Sequence, residues 1–236
     1  MAPDTATVVL GGGMPAALEV LDFALGRRPG VAVLGWDLSV PGTVEKVATR
    51  GPDVAVVCAD IPHWDGIKAC TEIKRLGTPT RVIVIGLEGD HATLLSAVKA
   101  GADGYVTVAD SVDDLAGALH QVCRGESRIP SSMLGSLLRG LIELRREDDA
   151  ALERFASLGK REREVLVGLV AGLDQRAIAA RAHLSPHTVR THTQNILTKL
   201  GVHSRLEAST FVFEHDLFSR FGIETEESRT SRSCEQ

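Results

Sequence analysis

Over the first 124 residues, two kinds of apolar pattern alternate. Short, nearly continuous apolar runs at Thr7–Leu10, Val31–Trp36, Val54–Ala59, Arg81–Ile85 and Gly104–Val108 predict strands buried on both faces. Between them, apolar residues recur at three and four. This predicts helices at Pro15–Leu25, Thr43–Arg50, Asp65–Leu76, His91–Ala100 and Ser111–Arg124. Gly51-Pro52, Gly77 and Gly101 stop three of these helices, and Ser111 with Asp114 is placed for a capping box. Five strands alternating with five helices predict an α/β, doubly wound, five-stranded parallel sheet.

After residue 124 the strand pattern stops. Residues 125–157 read as a linker carrying an amphipathic helix. Met133, Leu134, Leu137, Leu138, Leu141, Ile142 and Leu144 form its stripe, followed by the charged run Arg145–Asp149. Such a stripe suits packing on the sheet domain or a signalling or dimer helix. Residues 158–221 read as a compact all-α domain with helices near 160–171, 175–182, 186–200 and 204–214. The polar tail, 222–236, is expected to be disordered.

The formal net charge of -5 argues against a general polyanion binder. The charge is unevenly placed. Residues 158–205 hold eight Lys/Arg against three acids, a local +5, and the chain from 206 onward carries -4. A compact basic block in an acidic chain marks a local anionic partner. Cys58, Cys70, Cys123 and Cys234 show no metal-ligand spacing. With no secretory signal and no apolar run long enough for a membrane span, a reduced cytoplasmic setting is expected. Gly11-Gly12-Gly13 fits neither GxGxxG nor a lysine-containing phosphate loop, and no nucleophile–base set is fixed by motif. An enzyme is therefore not expected, and no cofactor or metal is implied.

The segment Gln175–Gly201 is the most informative. Ser185 is a natural N-cap, Pro186 a natural first helical residue and Gly201 a natural stop. The helix between them has an inner face of Val189, Ile196, Leu197 and Leu200. Arg190, Thr191 and Gln194 project together from its outer face. Arginine can bridge guanine O6 and N7, glutamine can pair with adenine, and a threonine methyl can meet thymine. Leu158 to Leu166, Ile178-Ala179, Thr188-Val189-Arg190-Thr191-His192, Asn195-Ile196-Leu197, Lys199-Leu200-Gly201-Val202 and Ser204-Arg205 together resemble the LuxR-type helix-turn-helix, over about 60 residues. That resemblance implies binding to double-stranded DNA. Arg190, Thr191 and Gln194 would face bases, and Thr188, Asn195 and Lys199 would contact the backbone. Gly159-Lys160 departs from the Thr-Pro usual in that family, which weakens one helix cap. His192 is expected to turn inward and bond local backbone.

Residues 5–124 resemble the receiver domain of NarL/FixJ-type response regulators. The likeness rests on element order, Pro52-Asp53, Pro62 with Asp65-Gly66, and Gly101-Ala102-Asp103-Gly104-Tyr105. Receiver chemistry needs two acids after the first strand, an acceptor aspartate after the third, a hydroxyl and a lysine. Here Gly12 and Gly13, Cys58, Gly86 and Val108 stand at those places. Without carboxylates nothing balances a divalent cation or a transferring phosphoryl group. The resemblance therefore implies an atypical, orphan regulator of actinobacterial type that acts without aspartyl phosphorylation. Control would come from homodimerisation, heterodimerisation with a related regulator, or a small-molecule ligand, and the DNA site would be an inverted repeat. Asp60, two residues past Cys58, could in principle substitute as acceptor, but the metal site would still be missing. A redox sensor through Cys58 and a non-DNA adaptor are the alternatives. At the vacated strand ends, either Trp36, Trp64 or Tyr105 fills the space, giving a fixed dimerisation module, or a ligand enters. The fixed module is the favoured expectation, because proteins usually fill voids.

Overall fold

The computed structural model describes residues 5–59 and 64–223. Asp60, Pro62, Cys234 and most of the polar tail lie outside the described residues. The chain forms two compact units, Met1–Leu141 and Ile142–Gln236.

In the first unit, β1 (Ala6–Gly11), β2 (Val31–Asp37), β3 (Val54–Cys58), β4 (Arg81–Gly86) and β5 (Gly104–Thr107) make one sheet of order β2-β1-β3-β4-β5. All its pairings are parallel. The helices α1 (Pro15–Leu25), α2 (Val40–Arg50), α3 (Gly66–Arg75), α4 (His91–Lys99) and α5 (Val112–Cys123) alternate with the strands. The expected doubly wound sheet is thus observed. Alternate residues of each strand feed two separate cores. Val8, Leu10, Val56, Cys58, Ile83 and Val106 face one, with α1 and α5. Val9, Ala55, Val57, Val84 and Tyr105 face the other, with α3 and α4. Strand order reverses between β1 and β3, and the carboxyl ends beside such a reversal are where ligands bind in open α/β sheets.

Two motif residues prove architectural. Asp53 accepts from the Thr7 amide (2.9 Å) and hydroxyl (2.6 Å), tying the start of β1 to the turn before β3. Asp103 accepts from Lys74 Nζ (2.6 Å), Arg81 (3.1 Å) and the Val82 amide (2.8 Å). Burial pushes the Asp103 carboxyl up, but these donors outweigh it and hold it below its ordinary range.

Helix α2 starts three residues earlier than predicted. Ser39 Oγ accepts from the Gly42 amide at 3.1 Å, and Pro41 sits in the first turn, so the cap lies before the apolar spacing begins. The capping box of α5 is as expected, with Ser111 and Asp114 bonded reciprocally. Register slips between Val8 and Val9, so that Leu34 is bypassed. Gly35 there takes φ +144°, a conformation open to glycine.

The predicted linker contains one continuous helix, α6 (Ser131–Ala156), which passes through the charged run without a break. Met133 and Leu137 are buried in the first unit, and Phe155 in the second. The second unit continues with α7 (Lys160–Val170), α8 (Gln175–Ala182), α9 (Pro186–Leu200), α10 (Arg205–Glu214) and the short α11 (Leu217–Arg220). The spacing did not predict α11; its apolar pair Leu217-Phe218 is buried against the same core. Among the described residues no helix is long and apolar enough to cross a membrane.

Candidate functional site

The ends of α9 form as the residues dictate. Ser185 Oγ accepts from the Thr188 amide (3.1 Å), Pro186 opens the helix, and Gly201 closes it at φ 70°. Before it, Asp174 caps α8 by accepting from the Ala177 amide (2.8 Å). His183 ends α8 in the left-handed region (φ 53°), which makes the sharp turn between the two helices. Gln175 Nε2 then donates to the Pro186 carbonyl at 2.5 Å, fixing the start of α8 to the first turn of α9. The spacing marked Gln175 only as the first residue of its helix.

The buried face of α9 is Val189, Thr193, Ile196 and Leu200. Leu197, expected there, is only half-buried, and Thr193 takes its place. Thr193 Oγ1 donates to the Val189 carbonyl (2.8 Å), so burying its hydroxyl leaves no unpaired group. On the far face Arg190, Thr191, Gln194 and Asn195 are exposed, and Thr188 is half-buried. Thr188 Oγ1 lies 2.8 Å from Ser185 Oγ, and Thr191 Oγ1 donates to the His187 carbonyl at 3.2 Å. Arg190 and Gln194 have no side-chain partner among the described residues. The arrangement is a capped helix whose outer face presents one guanidinium and two amides to solvent.

Lys199 is placed otherwise. Its Nζ donates to Glu162 Oε2 (2.7 Å) and to the Ser157 carbonyl (3.3 Å), which commits the ammonium to the anchoring of α9 on α7. Glu162 Oε2 also accepts from the Gly159 amide (2.7 Å). This is the surviving half of a capping box, since Gly159 has no side chain to reciprocate. Burial pushes the Glu162 carboxyl up, but Lys199 and the Gly159 amide pull it down further, to below its ordinary value. His192 does not satisfy local backbone as expected. Its Nδ1 is buried without a hydrogen-bond partner among the described residues, in a ring close enough to Glu162 to help hold that carboxyl down.

A depressed carboxylate stabilises the fold above its unfolded pKa, and that contribution fades as pH falls through its folded value. Glu162→Gln should therefore flatten the acid limb of a stability–pH curve. Lys199→Ala should cost about 1–2 kcal/mol, because it strands a buried carboxylate while losing a half-exposed partner. Thermal melts between neutral and acid pH check both; an unchanged acid limb in Glu162→Gln would refute the anchoring role.

The second constellation lies at the strand ends of the first unit. Gly12 and Gly13 follow β1, Cys58 ends β3, Gly86 ends β4 and Val108 follows β5. A Cβ at Gly12 would come within 3.3 Å of Cys58 Sγ, so these two positions adjoin. A Cβ at Gly86 would overlap the Tyr105 hydroxyl and lie 2.6 Å from its Cζ. Tyr105 is 1% exposed, and its hydroxyl donates to the Leu87 carbonyl at 3.4 Å. Trp64 is buried too, with Nε1 donating to the Cys58 carbonyl at 2.7 Å. Burial pushes the Cys58 thiol up to about 11, which keeps it protonated and poorly nucleophilic at neutral pH. Val108 is exposed. Among the described residues no group of three or more His, Cys, Asp or Glu could hold a metal ion.

With this geometry in view, residues 14–120 match the response regulator receiver domain, and residues 156–212 match the luxR family of bacterial regulatory proteins. The chain is 28% identical over 193 residues to the response regulator protein VraR of Staphylococcus aureus, covering 82% of this chain and 89% of that protein. A two-component response regulator of the LuxR family from Aurantimonas is 24% identical, with TM-score 0.53, over 58% of this chain and 99% of that one. The response regulator RcsB of Salmonella typhimurium is 20% identical, with TM-score 0.50, over 89% of this chain and 98% of that one. The last two show a shared fold.

Proposed function

We propose that this chain, a response regulator receiver domain joined to a luxR-family DNA-binding domain, controls transcription without aspartyl phosphorylation. The observation that carries this reading is the buried, protonated Cys58 at the acceptor place, flanked by Gly12 and Gly13 where carboxylates would hold a cation. A thiol held neutral neither binds a hard divalent cation nor accepts a phosphoryl group. Tyr105 supports it from the other side, since its ring takes the volume that a hydroxyl-bearing side chain at residue 86 would need.

On the output side, Arg190, Thr191 and Gln194 read base edges, and Thr188 and Asn195 approach phosphates. Lys199 holds the reading helix in place through Glu162. One helix of 15 residues touches too few bases for strong selectivity, so the protein acts as a homodimer, or a heterodimer with a related regulator, on an inverted repeat. The raised Cys58 thiol argues against redox sensing, and the outward Arg190 and Gln194 argue against an adaptor that ignores DNA.

Incubation of the full chain with acetyl phosphate and magnesium should leave its intact mass unchanged and its DNA affinity unaltered. Stoichiometric phosphate on any aspartate, Asp60 included, would overturn the proposal.

A further inference from the structure

Between the carboxyl ends of β3, β4 and β5 and the helices α1 and α5 lies a cavity of about 380 Å³. Its floor is Cys58, Ile85, Val106 and Leu115, none more than 8% exposed. Its mouth includes Met14, Val20, Leu87 and Val108, all exposed apolar side chains. The aromatic residues at the strand ends do not fill it. Tyr105 and Trp64 belong to the core on the opposite face of the sheet, and Trp36 packs elsewhere on the near core. Strand alternation explains this: Tyr105 faces α3 and α4, and the next residue, Val106, faces the cavity. On the cavity side, the residue after β5 that would reach into this space is the short branch of Val108.

We infer that this cavity is a binding site for an uncharged, predominantly apolar small molecule. Its volume falls within the range of small-ligand pockets, roughly 300–1,000 Å³. No lysine, arginine or histidine lines it, so nothing there would pair with a carboxylate or phosphate. Asp110, on its wall, repels anions. The other polar groups are already engaged: Thr107 Oγ1 donates to Asp110 Oδ2 (3.0 Å), and Ser111 Oγ donates to Asp114 Oδ2 (2.5 Å). A recessed floor of this kind is reached by a small molecule and not by the flat face of a second copy. Filling it transfers apolar floor and rim from water to an apolar contact, which is the source of affinity.

The test is a titration of the full chain with the uncharged dye Nile red, beside the anionic dye anilinonaphthalene sulfonate. Wild type should bind Nile red saturably, one per chain, with blue-shifted emission, and bind the anionic dye at least about tenfold more weakly. Ala17→Trp plugs the wall from a half-buried position on α1. Val20→Trp narrows the mouth from an exposed one, so that one of the two remains folded by circular dichroism. Either should weaken Nile red by about tenfold or more. Unsaturable binding, equal binding by the folded plugged variants, or one dye per two chains would each overturn the site. The readout uses neither DNA nor phosphate, so its failure leaves the proposed regulator function standing.

Discussion

Arg190→Ala should weaken binding to the cognate operator by about 1–3 kcal/mol, roughly five- to 150-fold, while leaving the affinity for unrelated duplex nearly unchanged. The asymmetry follows from where the side chain sits. Arg190 lies on the outer face of a helix capped at both ends, and no internal group holds its guanidinium among the described residues. Its removal costs no packing, so the melting temperature should stay constant. On the proposed reading, what is lost is a bidentate contact with a base edge, which distinguishes sequences, and not a phosphate contact, which does not. Anisotropy titrations on operator and scrambled duplexes at several salt concentrations separate the two. An unchanged operator affinity would place the reading face elsewhere.

Phe155→Ala should destabilise the second unit by about 3–5 kcal/mol, a large part of the stability of a small domain. Phe155 is fully buried, with ring centroids 6.3 Å from Phe218 and 4.7 Å from Phe221, and the Arg163 guanidinium stands 5.5 Å from its own centroid. The Arg163 guanidinium also stands 5.3 Å from the Phe221 centroid, so two of these partners are already engaged with each other. Calorimetry of the full chain should show the second unit's transition lowered. A transition that stays in place would show that α6 contributes nothing to that core. The same measurement bears on how a DNA-binding fragment should be cut. One that begins at residue 158 omits Phe155, and one that begins at 142 keeps it.

The sheet was legible because strands covered on both faces leave an unmistakable run of Val, Ile and Ala, as at Val54–Cys58. The reading helix was legible because Ser185, Pro186 and Gly201 mark its ends chemically. What escaped was set by long-range packing. No local signal says that Lys199 will pair with Glu162, 37 residues away, instead of reaching solvent. Nor does spacing show that Thr193, not Leu197, is buried, since a threonine that bonds its own helix carbonyl behaves as an apolar residue. The strand-end vacancies at Gly12, Gly13, Cys58, Gly86 and Val108 were readable from their places in the pattern. Which of them would be filled was not. Only the alternation of Tyr105 and Val106 across the sheet shows that aromatic bulk went to one face and left the other open.

The chain carries two tryptophans and one tyrosine, and Trp36, Trp64 and Tyr105 all lie in the first unit. The second unit absorbs in the near ultraviolet only through five phenylalanines. Intrinsic emission excited near the red edge therefore comes from the first unit alone. Trp64, with its indole nitrogen on the Cys58 carbonyl, reports from beside the strand ends. A denaturation curve followed by tryptophan emission describes one half of the molecule and is blind to the helices that meet DNA. Far-ultraviolet ellipticity weights both halves, and a difference between the two midpoints would measure how independently the halves unfold.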